Sequence, residues 1–517
     1  MKPCKILAGS LIAALALMSA SCNGNRQNKP DTSRDDSGDK GYTVVRPAEA
    51  TPVTVESIGA EFDPHFYAQN VVGRPLVGTR AEDFKIIEDR VTRMGLQKFR
   101  VMIQPQWYEP YNDNADPFDT DMGAFKWNTV EMQSLYQVLD LAQKNNMSVC
   151  LAIWGCTRSV KMIEEEYADV TTSFLADHDA NRNWMCPPKD NDEFGENFAA
   201  LVKYLIEEKG YTCVNEITPF NEPGGDIIQP DGYMEVCRAL DRHFRRLEVR
   251  GKVRFNLADN IDTHQYYLQA CADQLKGIAD IFNSHTYIFG YATPNSEIEE
   301  WERNNVAISK GAGLKHIVGE FGSNQCVGAS RQRDIDEYER GVLITRLALN
   351  FFNSGACGIS YWSLIDQYYG ADAPYEQMQQ LGLWRSVKNE YAQDTTYSRI
   401  KRDYECRPQY YAYSLLSSRV RPGAEIHPLE VGSEFAAGTA FKNTDGKWVY
   451  VIANQDKRKL SLKIENDAQG EFGLIRYEEG KLPEDGSLIE PGEFTDAADG
   501  AIKVVVEPKS VLVCFQK

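Results

Sequence analysis

Two glutamates stand where a lone carboxylate could do chemistry. Glu222 follows the apolar run Ile217-Thr218-Pro219-Phe220 inside Asn221-Glu222-Pro223, and Glu320 closes His316-Ile317-Val318-Gly319 before Phe321-Gly322. Each run reads as a buried strand that delivers one carboxylate to its C-terminal tip. A carboxylic acid and a carboxylate about 5 to 5.5 Å apart are what double-displacement cleavage of a glycosidic bond requires, one protonating the leaving oxygen while the other attacks the anomeric carbon. Taken singly, a glutamate before Pro or Gly is an ordinary solvated loop residue. Two of them at the tips of comparable strands point to the pair, provided the scaffold brings distant segments face to face.

The elements around them supply such a scaffold. Strands are expected over residues 53–62, 98–103, 147–154, 214–220, 254–258, 281–287, 316–321 and 358–364, with helices over 82–94, 128–144, 192–208, 232–247, 265–275, 296–309 and 337–353. In the second helix Met132, Leu135, Leu139 and Ala142 share one face; in the third, Phe194, Phe198, Leu201 and Leu205 do. Eight short apolar strands alternating with helices describe an α/β fold, the (β/α)8 TIM barrel, whose sites lie at strand C-termini. The two glutamates then fall on the fourth and seventh strands. From about residue 407 the texture changes to short strands, 447–453, 460–464, 473–477 and 502–506, separated by Asn, Asp, Gly and Pro with no helical pattern, which reads as a C-terminal all-β sandwich. The expected organisation is therefore barrel over 41–406 and sandwich over 407–517, with residues 41–45 lending a strand to the sandwich.

An Asn-Glu pair after the fourth strand and a glutamate at the seventh resemble glycoside hydrolase clan A. The stretch from Tyr410-Tyr411-Ala412-Tyr413 to Val420-Arg421-Pro422-Gly423, followed by a sandwich, is similar to the tail of families 30 and 39, whereas Gly319-Glu320-Phe321-Gly322 looks like family 5. The opening Ile58-Gly59-Ala60-Glu61-Phe62-Asp63 departs from the glycine-rich start of family 30, so the resemblance extends to the clan and not to one family. It implies a retaining β-glycosidase with Glu222 as acid/base, Glu320 as nucleophile and Asn221 as donor to the sugar's 2-hydroxyl. The bare chemistry of Asn221 agrees, because an amide beside the acid can make a hydrogen bond that strengthens in the transition state.

Other strand ends fit the same picture. Arg100 on the second strand can donate to Glu320 and keep it ionised; alone it would read as a structural ion pair. His285 and Tyr287 lie on the sixth strand, beside the seventh, so Tyr287 can orient Glu320, although His285 alone would pass for a hydrogen-bonded core histidine. Trp362 on the eighth strand offers an apolar platform for a sugar ring, and Trp107 and Trp154 are candidate outer platforms.

Composition narrows the ligand. Of 517 residues 75 are acidic and 56 basic, a net charge of −19, which disfavours nucleic acid and polyanions and leaves a neutral or weakly charged glycan as the expected partner. The seven histidines are scattered without metal-ligand spacing, so neither metal nor other cofactor is expected. Lys2 and Lys5, the apolar run 6–18 and the small residues 19–21 before Cys22 form a lipoprotein signal over 1–22, with Cys22 lipidated and 23–40 a polar tether, which implies export and a lipid anchor in a bacterial membrane. Of 12 cysteines, Cys150, Cys213, Cys357 and Cys514 sit in apolar segments and are expected, like most of the rest, to be unpaired core thiols. The competing reading is a surface glycan-binding lipoprotein on an inactive hydrolase scaffold; the intact Glu222 and Glu320 weigh against it.

Overall fold

The computed structural model describes residues 41–517, apart from 65–69, 72–73, 76–80, 159–161, 163–164, 168, 178–185, 225–226, 262–264, 289, 324–330, 368–378, 387–402 and 498. The signal, the tether and Cys22 lie outside the described residues. Residues 42–517 form one compact unit.

Eight parallel strands close a barrel in chain order: Ser57–Glu61, Lys98–Ile103, Ser148–Ile153, Val214–Thr218, Arg254–Ile261, Ile281–Ile288, His316–Ser323 and Gly358–Tyr361, referred to below as strands one to eight. They are buried almost throughout, as a parallel sheet covered by helices requires, which is why they read as continuous apolar runs. A helix follows each: α1 (Ala81–Met94), α2 (Val130–Lys144), α3 (Asn191–Lys203), α4 (Pro230–Arg246), α5 (Gln265–Gln274), α6 (Asn295–Gly311), α7 (Tyr338–Asn353) and α8 (Pro408–Ser417). Their starts follow local chemistry. The Thr129 hydroxyl accepts from the Met132 amide (3.2 Å) to cap α2, the Asp190 carboxylate accepts from the amides of Asp192 and Glu193 to cap α3, and a proline opens α4 and α8.

Helix α8 revises the expected boundary. Residues 408–417 were expected in an all-β domain, but they form the eighth helix of the barrel. Its first residues are Pro-Gln-Tyr-Tyr, and every residue after the half-buried Pro408 is buried. It therefore lacks the polar face that makes an amphipathic period visible in a sequence. The sandwich strands that follow α8 begin at Glu425.

The sandwich has two sheets. Six antiparallel strands run in the spatial order 425–429, 436–442, 448–454, 510–516, 471–477, 493–496, and a second sheet holds 43–45, 460–465 and 501–506. Strand Thr43–Val45 pairs in parallel with 462–464. The two sheets enclose Tyr450, Ile452, Leu462, Ile464, Phe472, Val504 and Leu512. The barrel docks on the outside of the larger sheet through α7. Gly341 is a close-approach glycine there, because a Cβ would fall on the Tyr477 hydroxyl. That hydroxyl donates to Tyr338 O (2.7 Å) while the two tyrosine rings stack 4.6 Å apart. Asn353 donates to Gly438 O (3.0 Å) further along the same helix.

Candidate active site

The C-terminal ends of strands one, two, four, five, six and seven converge on a buried ionic cluster whose centre is Arg100. Its guanidinium, 3 % exposed, donates through Nη1 to Glu61 (2.6 Å) and Glu320 Oε2 (3.2 Å), and through Nη2 to Asn221 Oδ1 (2.8 Å) and Asp259 Oδ2 (2.9 Å). Register dictates much of this. Glu61 lies opposite Arg100 across strands one and two, and Glu320 opposite His285 across strands six and seven.

Strand four ends at Thr218, and the chain then turns so that Glu222 takes a left-handed backbone conformation, φ +46°. A non-glycine residue there carries strain of order 1–3 kcal/mol, and one contact that holds it is the Glu222 amide donating to Asp259 Oδ2 (3.0 Å). Asp259 is itself left-handed at φ +43°, as is Ala258 at +76°. Glu222 keeps about a third of its side chain exposed, and its Oε1 meets His285 Nδ1 at 2.9 Å. The other ring nitrogen, Nε2, meets Asp259 Oδ1 at 3.0 Å. Glu320 is 6 % exposed; its Oε1 accepts a short hydrogen bond from the Tyr287 hydroxyl, and its Oε2 lies 3.4 Å from His285 Nδ1. One carboxylate oxygen each of Glu222 and Glu320 and a ring nitrogen of His285 all fall within 4.8 Å of one another.

The electrostatics follow from burial and pairing. Burial pushes the Asp259 carboxyl up, but Arg100 and His285 overcome it and hold Asp259 well below the usual carboxylate range. Burial pushes His285 down, and the carboxylates of Asp259 and Glu320 more than reverse this, so the ring is held protonated well above its ordinary value. Burial, together with the charges of Asp63 and Glu320, raises Glu61 despite Arg100. Glu320 is also raised, first by burial and then by Glu222, against the opposing pull of His285, Arg100 and Tyr287.

Glu222, His285 and Glu320 are the one group among the described residues with the spacing of a metal-ligand set. The Arg100 guanidinium already stands against Glu320 Oε2, so a cation held by this group would share Glu320 with a fixed positive charge.

Of the residues expected from the sequence, Arg100, Asn221, Glu222, His285, Tyr287 and Glu320 come together. Trp362 is half-buried and packs on a small cluster of Met102, Ala152, Trp154 and Ile227. Trp154, 6 % exposed, thus buttresses Trp362 rather than presenting its own face. Trp107 is not brought to the site. It is 2 % exposed in the main core, held by a tight turn over Pro105–Trp107 whose Trp107 O accepts from the Thr129 hydroxyl (2.6 Å); it corrects the expectation of an outer platform there. Two residues of the cluster escaped the sequence reading, Asp259 and Glu61. The signal for Glu61 was present, since a carboxylate inside the apolar run Ile58-Gly59-Ala60-Glu61-Phe62 needs a buried cation.

Asp259 touches Arg100, His285 and the Glu222 backbone at once, so it acts through other residues. Asp259→Asn is expected to lower kcat/KM by at least about tenfold, the loss of one charge-assisted hydrogen bond of roughly 1.5–3 kcal/mol. Because Asp259 helps to keep His285 protonated, the same change should lower the pH at which the His285 ring loses its proton, followed by NMR of the ring. An unmoved His285 titration with an intact fold would leave Asp259 a merely structural group.

Comparison with protein families and with curated proteins finds no match. Solved structures match along nearly the whole chain. An endoxylanase of glycoside hydrolase family 30 from Clostridium papyrosolvens is 11 % identical with a TM-score of 0.62, covering 92 % of this chain and 100 % of its own. A conserved exported protein from Bacteroides fragilis is 14 % identical with a TM-score of 0.65 over the same shares. A family 39 β-xylosidase from Caulobacter crescentus is 12 % identical with a TM-score of 0.57, again over 92 % and 100 %. At these identities the likeness is one of fold.

Proposed function

We propose that this protein, which has the fold of the clan A glycoside hydrolases, is a retaining β-glycosidase acting on a neutral or weakly charged oligo- or polysaccharide. The observation that carries the reading is that one carboxylate oxygen of Glu222 and one of Glu320 lie within 4.8 Å of each other, too close for a water and a sugar ring to be fitted between them. Double displacement uses carboxyl groups about 5–5.5 Å apart, whereas single displacement needs about 6.5–9.5 Å to admit a water between carboxylate and sugar.

In this reading Glu320 is the nucleophile. The Tyr287 hydroxyl fixes one of its oxygens, while Arg100 and His285 face the other. Glu222 is the acid. Its Oε1 is occupied by His285, which leaves Oε2 to carry the proton to the glycosidic oxygen and later to take one from the attacking water. Asn221 Oδ1 is held by Arg100, so its amide nitrogen is the group turned to the substrate, where it can donate to the 2-hydroxyl. Trp362 offers its ring to a sugar face. No step requires a metal.

A panel of neutral polysaccharides and aryl β-glycosides, followed by proton NMR of the first-formed anomer, tests the proposal. The expected first product is the β-anomer. An α-anomer at the earliest times would overturn the retaining mechanism, and binding without hydrolysis across the panel would favour the glycan-binding alternative. We also propose that the chain is anchored in a bacterial membrane through lipidated Cys22, supported by the sequence around that residue. Cys22→Ser should move the protein to the soluble fraction; unchanged membrane association would refute the anchor.

A further inference from the structure

Away from the ionic cluster, Cys156 and Cys186 face each other at the base of the excursion that joins strand three to α3. The Cys156 amide donates to Cys186 O (2.9 Å) and the Cys186 amide donates to Cys156 O (2.7 Å), an isolated antiparallel bridge. That mutual exchange defines a hydrogen-bonded pair of directly opposed residues, whose Cα atoms lie about 5.5 Å apart. A disulfide spans roughly 4.4–6.8 Å between Cα atoms. Both residues are thiols here and both are buried. Burial raises the Cys156 thiol, and Cys186 beside it raises it further, as expected of two sulfurs sharing one site. The position of Cys186 is fixed from its other side as well. The Asp177 amide donates to Pro187 O (3.0 Å), the Lys189 amide donates to Leu175 O (2.8 Å), and Ala176 bridges Pro188. A second pair of thiols, Cys237 on α4 and Cys271 on α5, also feel one another, but no backbone pairing sets their separation.

We propose that Cys156 and Cys186 join in a disulfide when the protein meets an oxidising compartment, closing the base of this excursion. The two thiols give up two protons and two electrons as the S–S bond forms. The electrons pass by exchange to the disulfide of a thiol–disulfide oxidoreductase or to oxidised glutathione, which leaves as thiols. The bond would tie down the chain two residues beyond Trp154, the residue on which Trp362 packs. The staple therefore secures one wall of the proposed substrate site, although its existence does not depend on the glycosidase reading.

The test is peptide mapping of the full chain, purified without reductant, equilibrated with oxidised glutathione and alkylated under denaturing conditions. The Cys156 and Cys186 peptides should appear as one cross-linked species that reductant splits, with Cys237 and Cys271 recovered alkylated. Reductant should also lower the thermal midpoint by several degrees, to that of the Cys156→Ser, Cys186→Ser double variant, whose own midpoint should not respond. Recovery of both residues as alkylated thiols, or of either one joined to a different cysteine, would overturn the proposal. The mapping uses the unaltered chain, so it decides the matter even if the double variant fails to fold.

Discussion

Replacing Glu320 by alanine is expected to cost about 10⁴- to 10⁶-fold in kcat, the range associated with deleting a nucleophile, and added azide should restore turnover with a glycosyl azide of inverted configuration. The physical reason is the cavity left beside Tyr287 and Arg100, where a small anion can take the place of the carboxylate. Arg100 keeps Glu61, Asn221 and Asp259 as partners in this variant, so the cluster does not lose its central cation and the chain should fold. Thermal unfolding of the variant guards against loss of activity through loss of structure. An azide product of retained configuration would exchange the roles of the two glutamates, and near-normal turnover would remove Glu320 from the mechanism.

Glu222→Ala should behave in the opposite way. Substrates with good leaving groups need little protonation, so their first step survives and the glycosyl-enzyme accumulates as a burst. Substrates with poor leaving groups should lose about 10²- to 10⁴-fold, the usual worth of general acid–base catalysis. Azide then attacks the covalent intermediate and gives the retained product. The acid limb of the pH profile provides a second reading. Glu320 must be ionised to attack, and burial lifts it above its usual range against the pull of His285 and Arg100; activity should therefore fall with decreasing pH through a value above the ordinary glutamate pKa of about 4.3. An acid limb at or below that value would mean that Glu320 is not the group whose ionisation starts the reaction.

Much of this was legible in the sequence because the barrel strands are buried on both faces and read as apolar runs, and because single polar residues at their tips stand out against them. Arg100, Glu222, His285, Tyr287 and Glu320 were visible for that reason. Asp259 was not, because the strand bends where it matters. Ala258 and Asp259 both take positive φ, and the register to strand six slips between Leu257 and Asn260. The extended period stops at Ala258, although the strand continues to Ile261. Trp107 misled for the converse reason: a tryptophan just past a strand tip looks like a platform, and only the folded position of its turn sends the ring into the core. The sandwich strand Ala436–Lys442 was missed because Ala436-Ala437-Gly438-Thr439-Ala440 has weak strand propensity. Its small residues fit instead a surface against which α7 packs.

The parallel pairing of Thr43–Val45 with 462–464 also constrains the order in which the chain can fold. The entire barrel lies between the two partners, so the smaller sheet of the sandwich can complete itself only by closing a loop of several hundred residues. If that loop were flexible chain, closing it would cost roughly 3 kcal/mol more than closing a ten-residue turn. A finished barrel removes most of this penalty by holding both ends of the chain on the same flank. Residues 47 and 54, just past the first strand of the smaller sheet, bridge Leu429 and Glu425 there. The barrel should therefore template the sandwich, and in pulsed hydrogen exchange during refolding the amides that bridge 43–45 and 462–464 should gain protection after those of strands two and three. Earlier protection of that pairing would mean that the two chain ends find each other before the barrel is built.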